Sequence, residues 1–175
     1  MDAINFAQSE LRRLSLDDSL VFLTSARIDG MQSETVADGE VIAQSLITVG
    51  LGNALSAGDP AAWSPRVGTI NIACALSVCL SVEAALEAHA IITEAKVAAL
   101  HKAGIVSRIS GRPATGTGTD CQALLWLTRP NQGVYAGKHT RCGSVIGQAV
   151  YEATSRGIEL WKKQYPGHEV LGGWH

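Results

Sequence analysis

Apolar residues recur along the chain with two different periods. In residues 2–14 they fall at Ile4, Phe6, Ala7, Leu11 and Leu14 among charges, an approximate helical spacing that predicts a short opening helix. "SLVFLTSA", Ser19 to Ala26, is rich in β-branched and aromatic residues and is closed by the turn signal Asp29-Gly30, which predicts a strand. The pattern between Met31 and Gln44 is mixed, with a second turn signal at Asp38-Gly39. "SLITVGLGNAL" opens as a strand and loosens at Gly50 and Gly52, and "SAGDPAAWSP" has the composition of a loop. "GTINIACALS" sets Ile70 and Ile72 against Thr69, Asn71 and Ala73, the alternation of a strand with one apolar and one polar face. Ser81 is placed to cap a helix from Val82 to Lys102, which Gly104 stops. Eight alanines between Val82 and Gly104 imply that this helix packs closely against a sheet. "CQALLWL" is a continuous apolar run of strand length, expected at the centre of the sheet. A last helix runs from about Thr140 to Gln164, with Val145, Ile146, Ala149, Val150, Ala153 and Leu160 as its core stripe.

Strands alternating with long helices predict an α/β or α+β fold, a single layered domain over residues 1–175 in which a mixed sheet is packed by long helices. The strand order is not fixed by the pattern. The formal net charge of −2, with both signs spread along the chain, shows no basic footprint for nucleic acid. Asp2 and Glu10 precede any apolar run, unlike a secretory leader, and the uncharged stretch Val67 to Val82 is too short to span a bilayer. A cytoplasmic protein without a membrane partner is expected. With 46% apolar and only 17% charged residues, polar cover is limited, and a homo-oligomer is expected.

Cys74, Cys79, Cys121 and Cys142 match no zinc spacing and are expected as reduced, mostly buried thiols. The five histidines are scattered without a paired metal spacing, so no metal site is expected.

Candidate chemistry lies in the glycine-rich loops. "GLGNALSAG" has Gly50 and Gly52 in place for a dinucleotide fingerprint, but Leu55 stands where the third glycine is needed. "GRPATGTG" has Gly111 and Gly116 at P-loop spacing, but Thr117-Gly118 stands where Lys and Ser/Thr must hold phosphate and magnesium. What remains is a loop offering Thr115, Thr117 and Thr119, with Gly116 and Gly118 between them permitting close approach of a ligand and Asp120 at the mouth of a strand. The same residues could make only a tight turn, with Asp120 accepting loop hydrogen bonds. A second cluster, "YAGKHTRCGS", puts Tyr135, Gly137, Lys138 and His139 just ahead of the last helix, where Thr140 or Ser144 can cap. In "TEAK", Glu94 and Lys96 do not face one another and read as a solvated polar face unless Glu94 points back at the loop after this helix. Asn53 in a glycine-rich turn and Asn71 within an apolar strand serve as hydrogen-bonders, to neighbours or to a ligand.

Taken in order, "VGLGNALSAGDP", "GTINIACALS", "ITEAK", "SGRPATGTGTDC", "YAGKHT" and "IGQAVYEA" resemble the adenosylcobinamide amidohydrolases. The resemblance covers about Thr48 to Ala153; residues 1–45 match weakly and form the N-terminal part of the same domain. It implies hydrolysis of the amide joining a corrinoid propionyl side chain to aminopropanol, giving adenosylcobyric acid and 1-aminopropan-2-ol in cobamide salvage. The partner implied is a small-molecule corrinoid that brings its own cobalt, so no cofactor is expected, and Trp63, Trp126 and Tyr135 are possible apolar platforms for it. Amide hydrolysis needs a nucleophile or activated water, an oxyanion donor and a proton for the departing amine. Asp120 is the candidate base or orienter, Thr117 or Thr119 the nucleophile or water-positioner, Lys138 the oxyanion stabiliser and His139 the proton donor. Asn53, Asn71, Glu94, Thr115, Gly116, Gly118, Tyr135 and Gly137 are the candidate substrate-binding residues. These assignments predict that the GTGTD and YAGKHT loops line one cleft. The competing readings are a corrinoid or other small-ligand binding module without hydrolysis, and an amidohydrolase for a smaller amide.

Overall fold

The computed structural model describes residues 2–61, 66–127 and 135–167. Helix α1 (Ala3–Arg13) is capped by the Asp2 carboxylate, which accepts from the Ile4 amide. It is followed by strands β1 (Gln32–Asp38) and β2 (Val41–Val49), the two-residue β3 (Ala54–Leu55), and the long strand β4 (Ile70–Cys79). Helix α2 (Val82–Lys102), the two-residue β5 (Gly116–Thr117), strand β6 (Cys121–Leu127) and helix α3 (Arg141–Gln164) complete the order. The caps are those the sequence predicts: Ser81 Oγ accepts from Ala84 at the start of α2, and Thr140 Oγ1 from Gly143 at the start of α3.

Four strands form one mixed sheet in the order β1-β2-β4-β6. The β1-β2 hairpin turns at Gly39, β2 and β4 are antiparallel, and β4 and β6 are parallel, joined by the α2 crossover. This is an α+β single domain, with α3 packed on the sheet. One face of the sheet carries both long helices. Glu34, Ser45, Cys74 and Leu124 share a row on that face; Ser45 and Cys74 are fully buried, and the Ser45 hydroxyl donates to the Ala149 carbonyl of α3 at 2.8 Å. On the opposite face Thr35, Gln44, Ala75 and Leu125 form the matching row, and all four are exposed.

Four expectations are corrected. Ser19–Ala26 forms no strand: Leu20, Val21 and Leu23 are exposed, and the segment is tied to the sheet by the Asn71 amide, which donates to the Leu23 carbonyl at 2.9 Å. β-branched composition makes a strand only where a sheet edge is there to pair with it. β6 is not central; among the described residues it is an edge strand paired with β4 alone. Leu124 and Trp126 pack on the core, while Leu125 and Leu127 on the other face stay about half exposed. The alanines of α2 serve chiefly a close approach to α3, rather than to the sheet, on which α3 is the tightly packed helix. Leu160 is only partly buried; Ile158 and Trp161 complete the α3 stripe in its place.

Cys74, Cys79 and Cys142 are buried free thiols and Cys121 is exposed. Burial pushes the Cys74 thiol up to about 12 and also raises that of Cys142, so neither is a thiolate at neutral pH. No helix among the described residues is long and apolar enough to cross a membrane.

Candidate active site

Asp120 immediately precedes β6, and parallel pairing with β4 sets Cys121 opposite Asn71, so the Asp120 carboxylate arrives beside the first residue of β4. Its Oδ1 accepts from the Ile70 amide at 3.0 Å and from the Thr117 hydroxyl, while Oδ2 accepts from Lys96 Nζ at 2.7 Å. The Lys96 and Asp120 side chains are 9% and 15% exposed, so the pair lies largely out of water. Each charge is tolerable there because the other balances it. A strand, a helix and a turn thus converge on one carboxylate.

The turn itself is held from both sides. β5 pairs antiparallel with β3, Ala54 opposite Thr117 and Leu55 opposite Gly116. The Thr119 hydroxyl donates to the Gly68 carbonyl at 3.1 Å, and the Thr119 carbonyl accepts from the Thr69 hydroxyl at 2.8 Å, clamping the loop to the approach of β4. Thr115 Oγ1 accepts from the Ala57 amide at 2.9 Å. Asn53 sits between Gly68 and Gly118, and its side-chain carbonyl is buried without a hydrogen-bond partner among the described residues. Gly116 has no room for a side chain: a Cβ there would stand 2.2 Å from Asp120 Oδ2 and 3.0 Å from Lys96 Nζ. Gly116→Ala is therefore expected to lower turnover by about a hundredfold, the cost of displacing catalytic groups by an ångström or so. Turnover per folded molecule, measured beside the melting temperature, checks this; wild-type turnover would show that the carboxylate position is immaterial.

The second cluster assembles elsewhere. Lys138 Nζ pairs with the Glu94 carboxylate, both well exposed, and the Ala136 amide donates to Glu87 at 2.9 Å. The loop folds back over the first turn of α3, where a Cβ on Gly143 would meet the Gly137 carbonyl oxygen at 2.3 Å. Glu94 and Lys138 line a groove with Ala98 of α2 and Gly147 of α3. Thr93 and Lys96 face the other way: Gln122 of β6 donates to the Thr93 hydroxyl at 2.7 Å. Glu94 and Lys96 are two residues apart, about 200° round the helix, so the two loops engage opposite flanks of α2. Among the described residues the expected shared cleft is not formed. The structure brings Asp120, Thr117, Thr119, Thr115, Gly116, Gly118 and Asn53 together, and leaves Lys138, His139, Glu94, Tyr135 and Gly137 apart from them. His139 and Tyr135 are exposed. Asn71 is buried beside the cluster but is committed to Leu23 and to Thr69, whose hydroxyl lies 3.4 Å from its carbonyl oxygen. Trp126 packs on the core, and Trp63 lies outside the described residues.

Lys96 is the site residue that the sequence pattern does not single out. Its polar neighbours on α2 suggest a solvated face, yet it is 7% exposed, and it is Lys96 rather than Glu94 that points to the loop after the helix. The available signal is positional, since Thr93 and Lys96 are three apart and share a face.

The family model for adenosylcobinamide amidohydrolases matches residues 1–166, including the segment before β1. No curated protein matches the chain. Since that model spans nearly the whole sequence, with the loop that gathers Asp120, Thr117 and Lys96 inside the match, the chain belongs to the adenosylcobinamide amidohydrolase family.

Proposed function

We propose that the protein hydrolyses the amide between a corrinoid propionyl side chain and aminopropanol, giving adenosylcobyric acid and 1-aminopropan-2-ol. The observation that carries this reading is the family match over residues 1–166. The cobalt belongs to the substrate, and no residue of the chain is assigned to it. The reading places the enzyme in the cytoplasm, acting on a small-molecule corrinoid.

The hydrogen-bond pattern supports a division of labour among the threonines. The Thr117 hydroxyl donates to Asp120 Oδ1, whereas the Thr119 hydroxyl is committed to a backbone carbonyl. A weak hydroxyl nucleophile needs an adjacent base, and only Thr117 has one. In this reading Thr117 Oγ attacks the amide carbon as Asp120 takes its proton, and Lys96 balances the carboxylate through the ion pair. The oxyanion role passes to the Asn53 amide beside the loop, because Lys138 stands on the other flank of α2. The C–N bond then breaks and the departing amine takes its proton from Asp120, the role first given to His139. Water, deprotonated by Asp120, releases the acyl group as the carboxylic acid and restores Thr117.

Incubation with adenosylcobinamide tests the function. Released aminopropanol marks the enzyme, a changed corrinoid spectrum without release marks a binding module, and neither marks a different ligand. In the same assay Thr117→Val is expected to lower turnover at least about a thousandfold, as loss of a nucleophile does. Thr119→Val should stay within a few-fold per folded molecule. The reverse ranking would move the nucleophile to Thr119, and near-normal turnover in both variants would leave water as the attacking group.

A further inference from the structure

The open face of the sheet, opposite the two long helices, carries no charge. Every strand position that alternation turns to it holds an uncharged side chain: Ser, Thr and Ala on β1, Ile, Gln, Leu and Thr on β2, Asn, Ala and Ser on β4, and Cys, Ala and Leu on β6. The acidic residues of β1 point the other way, Glu34 to Arg156 and Asp38 to Arg141, both on α3. Yet this face is not a core, since Ile42, Leu46, Leu125 and Leu127 are 38–51% exposed. At one end the apolar surface continues past the strands, where the Leu23 carbonyl accepts from Asn71 and Leu20, Val21 and Leu23 are themselves exposed. In a chain with 17% charged residues, a broad exposed face without any marks a surface to be covered, because the centres of interfaces are depleted of charge.

We propose that two copies of the chain pair through this face, sheet on sheet, about a two-fold axis. An uncharged face disfavours any partner that would bury charges against it without a counter-charge, and the chain supplies one matching face, its own. A two-fold contact sets the same patch on both sides, so no like charges meet. The relief is also self-complementary. Leu46 stands beside Ala73 and Leu125 beside Ala75, bulge next to hollow, so each leucine can seat over an alanine of the other copy at the ~10 Å spacing of packed sheets. Four strands about 4.8 Å apart and about seven residues long cover roughly 19 by 23 Å. With the shoulder formed by Leu20, Val21 and Leu23, two copies bury on the order of 1,000 Å², the lower bound for a specific interface and enough for a micromolar dimer.

Light scattering of the full chain from about 1 to 100 μM tests the proposal, with the mass of two chains expected at the upper end. Gln44→Arg and Leu125→Arg each set two guanidiniums into the uncharged contact and should weaken pairing at least about a hundredfold, leaving monomers with native circular dichroism. Gln44 is already exposed and polar, so Gln44→Arg keeps the test open if Leu125→Arg fails to fold. Leu86→Arg, at an exposed position of α2 on the other side of the sheet, should leave the dimer intact. A monomer mass at about 100 μM, a dimer that survives Gln44→Arg, or equal dissociation by Leu86→Arg would each overturn the proposal. The first of these would give the face to a different protein or to another segment of this chain. The pairing does not rest on the amidohydrolase reading, and none of these outcomes touches it.

Discussion

Asp120→Asn is expected to lower turnover on adenosylcobinamide by about a hundredfold or more, the scale on which acid–base catalysis is lost, while the substrate still binds. The amide keeps the shape of the carboxylate and can still accept from the Ile70 amide and the Thr117 hydroxyl. It cannot take the hydroxyl proton, and it no longer balances Lys96. A carboxylate that only stabilised the turn would behave differently: the melting temperature would fall, since a hydrogen bond to a charged group is worth about 1.5–3 kcal/mol, and turnover per folded molecule would stay near wild type. Steady-state kinetics and a thermal melt on one sample separate the two. Near-normal turnover would remove Asp120 from the mechanism.

Lys96→Met carries the largest expected loss of stability, about 3–5 kcal/mol, because methionine fills the aliphatic path of lysine but leaves the buried carboxylate without its cation. The cost falls on Asp120, which is then charged, 15% exposed and short of the 2.7 Å partner it has in the native protein. Combining Lys96→Met with Asp120→Asn should restore part of that loss, since the double variant buries no unpaired charge. Urea unfolding of the wild type, both single variants and the double variant gives the coupling. Strictly additive losses would mean that the two side chains do not sense one another.

Much of this architecture is legible in the sequence. Ser81 and Thr140 cap the two long helices where the pattern puts them, Asp38-Gly39 turns the first hairpin, and the motif from Gly116 to Asp120 gathers the candidate chemistry. The rest depends on partners that no local window contains. β1, "QSETVAD", has too few apolar residues to announce itself and forms because β2 supplies its ladder. Ser19–Ala26 has the composition of a strand and no ladder to join. CQALLWL has the composition of a central strand and lies at the edge because nothing among the described residues continues the sheet beyond it. Lys96 is the sharpest case, a lysine in a polar stretch of helix whose burial is decided by an aspartate 24 residues away. The separation of Lys138 from Asp120 has the same origin, since it follows from which flank of α2 each loop meets, a matter of helical phase rather than of spacing along the chain.

The edge position of β6 bears on how the protein fails. Asp120 immediately precedes that strand, and beyond the local bond from Thr117 its side-chain ties reach back 24 residues to Lys96 and 50 to Ile70. β2 is flanked by strands on both sides and covered by α3, so it belongs to the most persistent part of the domain, whereas β6 is held laterally by β4 alone. Proteins open in cooperative sub-units, and edges part from the sheet before centres do. Partial peeling of β6 would draw Asp120 away from both Lys96 and Ile70 while the hairpin and α3 kept their native order. In the proposed mechanism such fraying removes the carboxylate that takes the proton, so loss of activity on heating or in denaturant is expected to precede global unfolding, which activity and circular dichroism followed on one sample check.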